Sequence, residues 1–306
     1  GKWSTFVSSI SLSGLPESWQ NKFNAVKVGE LMSVTIAKSA GFCFGVNRAV
    51  KILSEKLDEG CKVCTLGPII HNPLVIEELE KRGARIIDSP SDAPEGYEVV
   101  IRAHGVTKQV IAELEERGVP YTDATCPYVI KIHKIIIENS KEDNVVLIAG
   151  DEKHPEVCGF RSHCRGESYV FKNEDSLCEI LHENENLSNK EIIVVAQTTF
   201  SVKEWKKCLK IIQKLCTNPI YFDTICTATQ NRQDEAMLLS KENDAMIVIG
   251  GRFSSNTVKL KNVCEENCRT FLIERAEELE YIDFGNAEKI GITQANLSIL
   301  KTNKAK

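Results

Sequence analysis

Three cysteines in this chain share one local setting, in which a short apolar run leads into Cys and the chain continues into an amphipathic helical pattern. They are Cys43 in VTIAKSAGFCFGVNRAVKIL, Cys126 in YTDATCPYVIKIHKIII and Cys226 in YFDTICTATQNRQDEAMLL. A cysteine between a strand end and a helix start meets unpaired backbone N–H groups and the positive end of the helix dipole. Both favour the thiolate, the form that binds metal. Such a chain is constrained to repeat one strand–Cys–helix design, with three distant segments each supplying one thiol to a shared centre.

From Met32 onward, β-rich runs alternate with helical patterns. CKVCTLG, YEVVIRA, NVVLIAG, EIIVVAQ and DAMIVIGG are dense in Val and Ile, and each ends in a polar or Gly-containing turn. PLVIEELEKRG, TKQVIAELEERG and SVKEWKKCLKIIQKLC carry apolar residues at helical spacing, and Gly closes the first two. This is the βαβ pattern of parallel sheets covered by helices. The expected fold is α/β, with three similar modules of mostly parallel sheet. Their boundaries are read as 45–126, 127–222 and 223–299, with 32–44 forming a strand and Cys43 loop that packs with the third module. Residues 1–31 are Ser-rich, contain no Arg and read as an appended segment rather than a targeting peptide, and 300–306 read as a polar tail.

A net charge of −5, with Lys and Arg scattered along the chain, argues against nucleic acid as the main partner. No apolar run approaches the roughly 20 residues of a membrane-spanning helix. Twelve cysteines in a 306-residue chain rich in regular elements do not describe a small disulfide scaffold, so a reducing cytoplasm is expected.

In parallel α/β sheets, ligands gather beyond the carboxyl ends of the strands. His71 follows CKVCTLG, His104 follows VVIRA, and His154 and Glu156 follow VVLIAG. Thr198 follows IIVVA, and Ser254, Ser255 and Asn256 follow MIVIGG. Taken singly, a histidine beside a turn is ordinarily structural, and Ser-Ser-Asn is an ordinary helix cap. Three of six histidines at equivalent strand ends are better explained together. Protonatable imidazoles, hydroxyls, an amide and helix N-termini are the equipment for holding a phosphate or diphosphate. Neither a G-x-x-x-x-G-K-[ST] loop nor a G-x-G-x-x-G fingerprint is present, so the phosphate belongs to the substrate. His133, inside a helical pattern, is read as structural.

The residues leave zinc, iron–sulfur and no metal open. Cys61 with Cys64, and Cys264 with Cys268, have zinc-like spacing, but they fall within a strand pattern and a helix pattern and read better as ordinary cysteines. For Cys43, Cys126 and Cys226, an open-site [4Fe–4S] cluster with three thiolates fits better than zinc, although their dispersed spacing matches no ferredoxin run.

The motifs AGFCFGVNRAV, LGPIIHNP, IRAHGV, DATCP, HPEVCG, QTTFS, TICTAT, RQDEA and SSNT, in this order over about residues 33–293, closely resemble the 4-hydroxy-3-methylbut-2-enyl diphosphate reductases. These are the last enzymes of non-mevalonate isoprenoid biosynthesis. The resemblance implies three α/β modules around a central [4Fe–4S] cluster held by Cys43, Cys126 and Cys226, with the fourth iron open. It implies a substrate pocket of His71, His104, His154, Thr198, Ser254, Ser255 and Asn256, and Glu156 as proton donor. The implied reaction converts the allylic alcohol diphosphate to isopentenyl and dimethylallyl diphosphates, with electrons from reduced ferredoxin or flavodoxin. The family closes on a GIT-AGAS-TP type stretch whose serine touches the diphosphate. Here GITQANLSIL puts Leu297 in that place, with Ser298 one residue later. That departure supports a second reading, a diphosphate-binding iron–sulfur or zinc protein of the same fold without turnover; a third is a hydratase that would use the open iron without net electrons.

Overall fold

The computed structural model describes residues 33–294. The expectations for residues 1–31, for Leu297 and Ser298 and for the 300–306 tail lie outside the described residues. The strands are β1 (Ser33–Ile36), β2 (Val63–Leu66), β3 (Arg85–Ile87), β4 (Glu98–Ile101), β5 (Tyr121–Asp123) and β6 (Val145–Ala149). They continue with β7 (Glu167–Phe171), β8 (Glu191–Ala196), β9 (Asn218–Tyr221), β10 (Ala245–Ile249), β11 (Arg269–Ile273) and β12 (Lys289–Gln294).

These form three four-stranded sheets, ordered β3-β2-β4-β5, β7-β6-β8-β9 and β1-β12-β10-β11. Every pairing is parallel. The three orders are one pattern, since β11-β10-β12-β1 repeats β3-β2-β4-β5 with β1 standing in the fourth place. The chain divides into two compact units. Cys43–Gln230 contains the first two sheets, and the segments before Cys43 and after Gln230 contain the third.

β6, β8 and β10 are buried on both faces, which is why they read as unbroken apolar runs. In the β6–β8 pair, side chains alternate between two cores. Val145, Leu147, Val194 and Ala196 pack with Leu177, Trp205 and Ile212 from helices Glu174–Glu183 and Val202–Leu215. Val146, Ile148, Ile193 and Val195 pack with Ile132, Ile136 and Phe160 from helices Pro127–Asn139 and Pro155–His163. Each fully buried Leu, Ile or Phe contributes about 1.5–3 kcal/mol, so this double layer is a rigid base for the turns beyond the strand ends.

Those turns lead directly into helices. Pro73, Pro127 and Pro155 each stand in the first helical turn, where proline's missing N–H costs no helical bond and its fixed φ starts the turn. Two minor placements differ from the sequence reading. Cys61 precedes β2 rather than lying within it, and Cys268 falls beyond helix Ser255–Glu265. No helix among the described residues is long and apolar enough to cross a membrane.

His133 sits inside helix Pro127–Asn139, its ring edge-on to Phe160 and 4.6 Å from the His163 ring. Burial, with a smaller effect from His163, pushes its pKa down to about 4 against an attractive pull from Asp123. An imidazole held neutral in the folded state but protonated near pH 6.5 when unfolded stabilises the fold above pH 6.5. That contribution is lost as the pH falls toward 4, because the unfolded chain then binds the extra proton. The loss is of order 3 kcal/mol. His133→Phe is expected to flatten denaturant midpoints measured between pH 7 and pH 4; an unchanged pH slope would show that His133 does not set it.

Candidate active site

The site residues of unit Cys43–Gln230 hang from the carboxyl ends of its two sheets. His71 follows β2, and the neighbouring Asn72 caps helix Pro73–Lys81 by accepting the Val75 amide at 3.2 Å. His154 follows β6 and caps helix Pro155–His163 itself, its Nδ1 accepting the Glu156 amide at 3.2 Å. His104 lies in a turn after β4, closed by the Gly105 amide donating to the Arg102 carbonyl at 3.0 Å. Gly105 needs its freedom: its φ is +73°, and a Cβ there would press Thr125 at 3.2 Å.

The three imidazoles come together. Ring centroids lie 4.8 Å apart for His71 and His104, 5.4 Å for His104 and His154, and 6.4 Å for His71 and His154. Their nitrogen ligand atoms all fall within 4.8 Å of one another, so one anion or one ion reaches all three. Burial pushes the His104 pKa well below the usual imidazole value, with His71, His154 and Arg102 adding to the effect. Burial followed by the Arg102 charge lowers His71 as well. Without a ligand, desolvation disfavours the protonated form of His71 and His104. His104 Nδ1 is buried without a hydrogen-bond partner among the described residues.

Glu156, 3% exposed, points at Thr198 after β8. The Thr198 amide donates to Oε2 at 3.0 Å, and its hydroxyl lies 2.9 Å from both carboxyl oxygens. The bond fixes the carboxyl group within electrostatic reach of two thiols, Cys126 and Cys226.

Cys43 and Cys126 are N-cap residues of helices Phe44–Asp58 and Pro127–Asn139, and Cys226 immediately precedes helix Thr227–Glu242. Cys43 acts electrostatically on both other thiols. A Cβ at Gly45 would overlap Cys126 Sγ, so this glycine lets the first helix approach the second thiol. The helix N-termini do donate, from Tyr128 and Val129 to Cys126 and from Ala228 and Thr229 to Cys226, but burial outweighs them. Cys126 is pushed up to about 11 and Cys226 also rises. At Cys126 and Cys226 a bound cation would offset that desolvation and favour the thiolate. A donor set of three thiols suits an iron–sulfur cluster.

In the other unit, Ser254 caps helix Ser255–Glu265, accepting the Thr257 amide at 3.4 Å. Asn256 is buried there, with Oδ1 unpartnered. A family model described as LytB protein matches residues 34–298.

The chain belongs to the LytB protein family.

A LytB relative from Caldanaerobacter subterraneus, named 4-hydroxy-3-methylbut-2-enyl diphosphate reductase, is 41% identical over 86% of this chain and 91% of its own. The Clostridioides difficile protein of that name is 37% identical over 86% and 93%. The solved E-1-hydroxy-2-methyl-but-2-enyl-4-diphosphate reductase of Plasmodium falciparum superposes with a TM-score of 0.77 at 28% identity, covering 87% of this chain and 84% of that one. A second solved reductase, described as the terminal enzyme of the non-mevalonate pathway, gives 0.61 at 36% identity, covering 87% and 94%.

The LytB chain also contains residues that sequence reasoning did not single out. Arg232 donates to the carbonyls of Ser39 at 3.0 Å and Gly41 at 2.6 Å, while Glu235 accepts the amides of Lys38 at 2.7 Å and Ser39 at 2.8 Å. The RQDEA motif thus clamps the loop that leads to Cys43. Its charge pattern on a helix was visible, but its loop partner, nearly 200 residues away, was not.

An anion entering the imidazole cluster favours imidazolium, so binding must raise the lowered pKa values of His71 and His104. Calorimetric titration with inorganic diphosphate at pH 6.5, in buffers of different ionisation enthalpy, is expected to show net proton uptake and affinity that grows as pH falls from 7.5. Binding without proton uptake would show that the imidazoles act only as neutral donors.

Proposed function

We propose that this chain removes the allylic hydroxyl of 4-hydroxy-3-methylbut-2-enyl diphosphate reductively. The substrate takes up two electrons and two protons, its C–O bond breaks, and water leaves with isopentenyl or dimethylallyl diphosphate as product. The observation that carries this reading is the position of Glu156. It is bonded to Thr198, two residues from one of the clustered imidazoles and within reach of the thiols.

Cys43, Cys126 and Cys226 would hold the [4Fe–4S] cluster. When bound, it supplies electrons and a Lewis-acidic iron, with ferredoxin or flavodoxin as the donor class. His71, His104 and His154 bind the diphosphate, accepting protons as its charge arrives. Ser254, Ser255 and Asn256 retain an anion-binding role on the chemistry of their own helix N-terminus, whose hydroxyls and amide suit phosphate oxygens. Thr198 orients the Glu156 carboxyl through its amide and hydroxyl. Glu156 delivers a proton toward the departing oxygen, and the buried wall around it keeps bulk water from competing.

The reading is tested on anaerobically prepared protein. About four irons and four acid-labile sulfides per chain are expected, with consumption of the hydroxylated diphosphate only when a reductant is present. Binding without consumption would make the protein a diphosphate-binding protein, and conversion without reductant would make it a hydratase. Glu156→Gln keeps the hydrogen-bonding shape and removes the acid, so turnover is expected to fall about 10²–10⁴-fold, with the cluster spectrum intact. Wild-type rates would remove Glu156 from the proton path.

Cys226→Ser is expected to lose iron. Cys64→Ser, altering a fully buried thiol in β2, is expected to keep it. Equal iron loss from both variants would point to another ligand set.

A further inference from the structure

Arg102, between β4 and His104, has a buried Nε with no hydrogen-bond partner, and no carboxylate forms an ion pair with it among the described residues. Arg102 is partly buried, and a desolvated N–H left unpaired is destabilising. Gly67, with a φ of +67°, lies against the guanidinium: a Cβ there would come within 2.5 Å of Arg102 Nη1.

Arg102 lines a cavity of about 370 Å³ together with Lys153. Thr107 and Pro155 line it too, at the N-terminal ends of helices Lys108–Glu116 and Pro155–His163, so two positive helix ends add to the two cationic side chains. One carboxylate, Asp88, stands in the wall and leaves the balance positive. Leu66, Val106 and Val110 form an apolar side. The clustered imidazoles do not line this cavity, although the turns that carry them do: Gly67 and Pro68 precede His71, Gly105 follows His104, and Lys153 and Pro155 flank His154.

We propose that this cavity is a second anion site, taking a small phosphate-headed ligand with a short apolar body. The choice of ligand class rests on the reductase reading, whose allylic diphosphates have this chemistry; the anion site itself rests on Arg102 and the cavity. An occupant pairs the guanidinium and bridges the three turns that position the imidazoles. The concentration of such a ligand is thereby coupled to the geometry of the substrate site.

Cys158 lines the same cavity and serves as its reporter. Its alkylation by iodoacetamide is followed by peptide mass mapping on the anaerobic full chain, with exposed Cys178 as internal control. The probes are inorganic diphosphate and dimethylallyl diphosphate. Cys158 is expected to react about tenfold more slowly once the probe stands near ten times its dissociation constant, while Cys178 is unaffected.

Protection should disappear in Arg102→Met, persist in part in Arg102→Lys and persist in His71→Asn. Survival in the lysine variant separates loss of charge from loss of fold. No protection in the wild type overturns the site. So does protection that survives Arg102→Met but vanishes in His71→Asn, which would place the anion among the imidazoles. Dimethylallyl diphosphate should protect at lower concentration than inorganic diphosphate; equal protection overturns the apolar body. Protection of Cys158 in a protein without reductase turnover would reject the proposed reaction while keeping the cavity.

Discussion

Two backbone hydrogen bonds bring thiol chemistry to the polar turns. The Cys126 amide donates to the Ala103 carbonyl and the Cys226 amide to the Thr198 carbonyl, both at 2.9 Å. Each joins the turn after an edge strand to the turn after its neighbour, β5 to β4 and β9 to β8. Parallel pairing makes this possible, because adjacent strands then end at the same level and their exit turns lie side by side. Ala103 immediately precedes His104, and Thr198 itself holds Glu156. Imidazole, carboxyl and thiol positions therefore inherit their precision from sheet register. Each bond is worth about 1 kcal/mol net, but losing one leaves a partly buried amide unpaired and frees two functional turns at once.

Burial then decides the charge state of what the turns carry. At Cys126 and Cys226 the helix N-termini act in the anticipated direction, yet desolvation is larger. At His71 and His104 the same effect removes positive charge. Burial thus disfavours the charged forms of His71, His104, Cys126 and Cys226. A metal centre makes thiolates favourable, and a diphosphate makes imidazolium favourable.

The repeated strand–Cys–helix design was readable because junction chemistry is local: proline after Cys126 and His154, and helical periodicity beyond each thiol. β2, β4, β6, β8 and β10, read from the sequence as Val- and Ile-dense runs, include the buried strands hardest to mistake. β3, β7 and β11 are edge strands carrying exposed charge, and β12 contains Gly291, which stands opposite Met246 in register. A Cβ at Gly291 would overlap the Met246 sulfur, so a residue that weakens the strand pattern is required by its neighbour's side chain. Arg102 and Arg232 lie within the quoted motifs IRAHGV and RQDEA, but their contacts were not legible there. Their roles depend on a cavity or a distant loop, and no periodicity encodes either.

The two polar sets differ in chemistry: three imidazoles whose nitrogen atoms lie within 4.8 Å of one another and can share one compact ligand, and the thiols Cys126 and Cys226, both of which feel Cys43 electrostatically. Glu156 belongs to neither set. Its chain position ties it to His154, its charge is felt by Cys126 and Cys226, and Thr198 fixes its orientation from a different strand. A group held by one element and oriented by another cannot swing toward either set without breaking the Thr198 bonds. Under the proposed reaction, a ligand spanning both sets would meet a carboxyl group whose direction the Thr198 bonds already set.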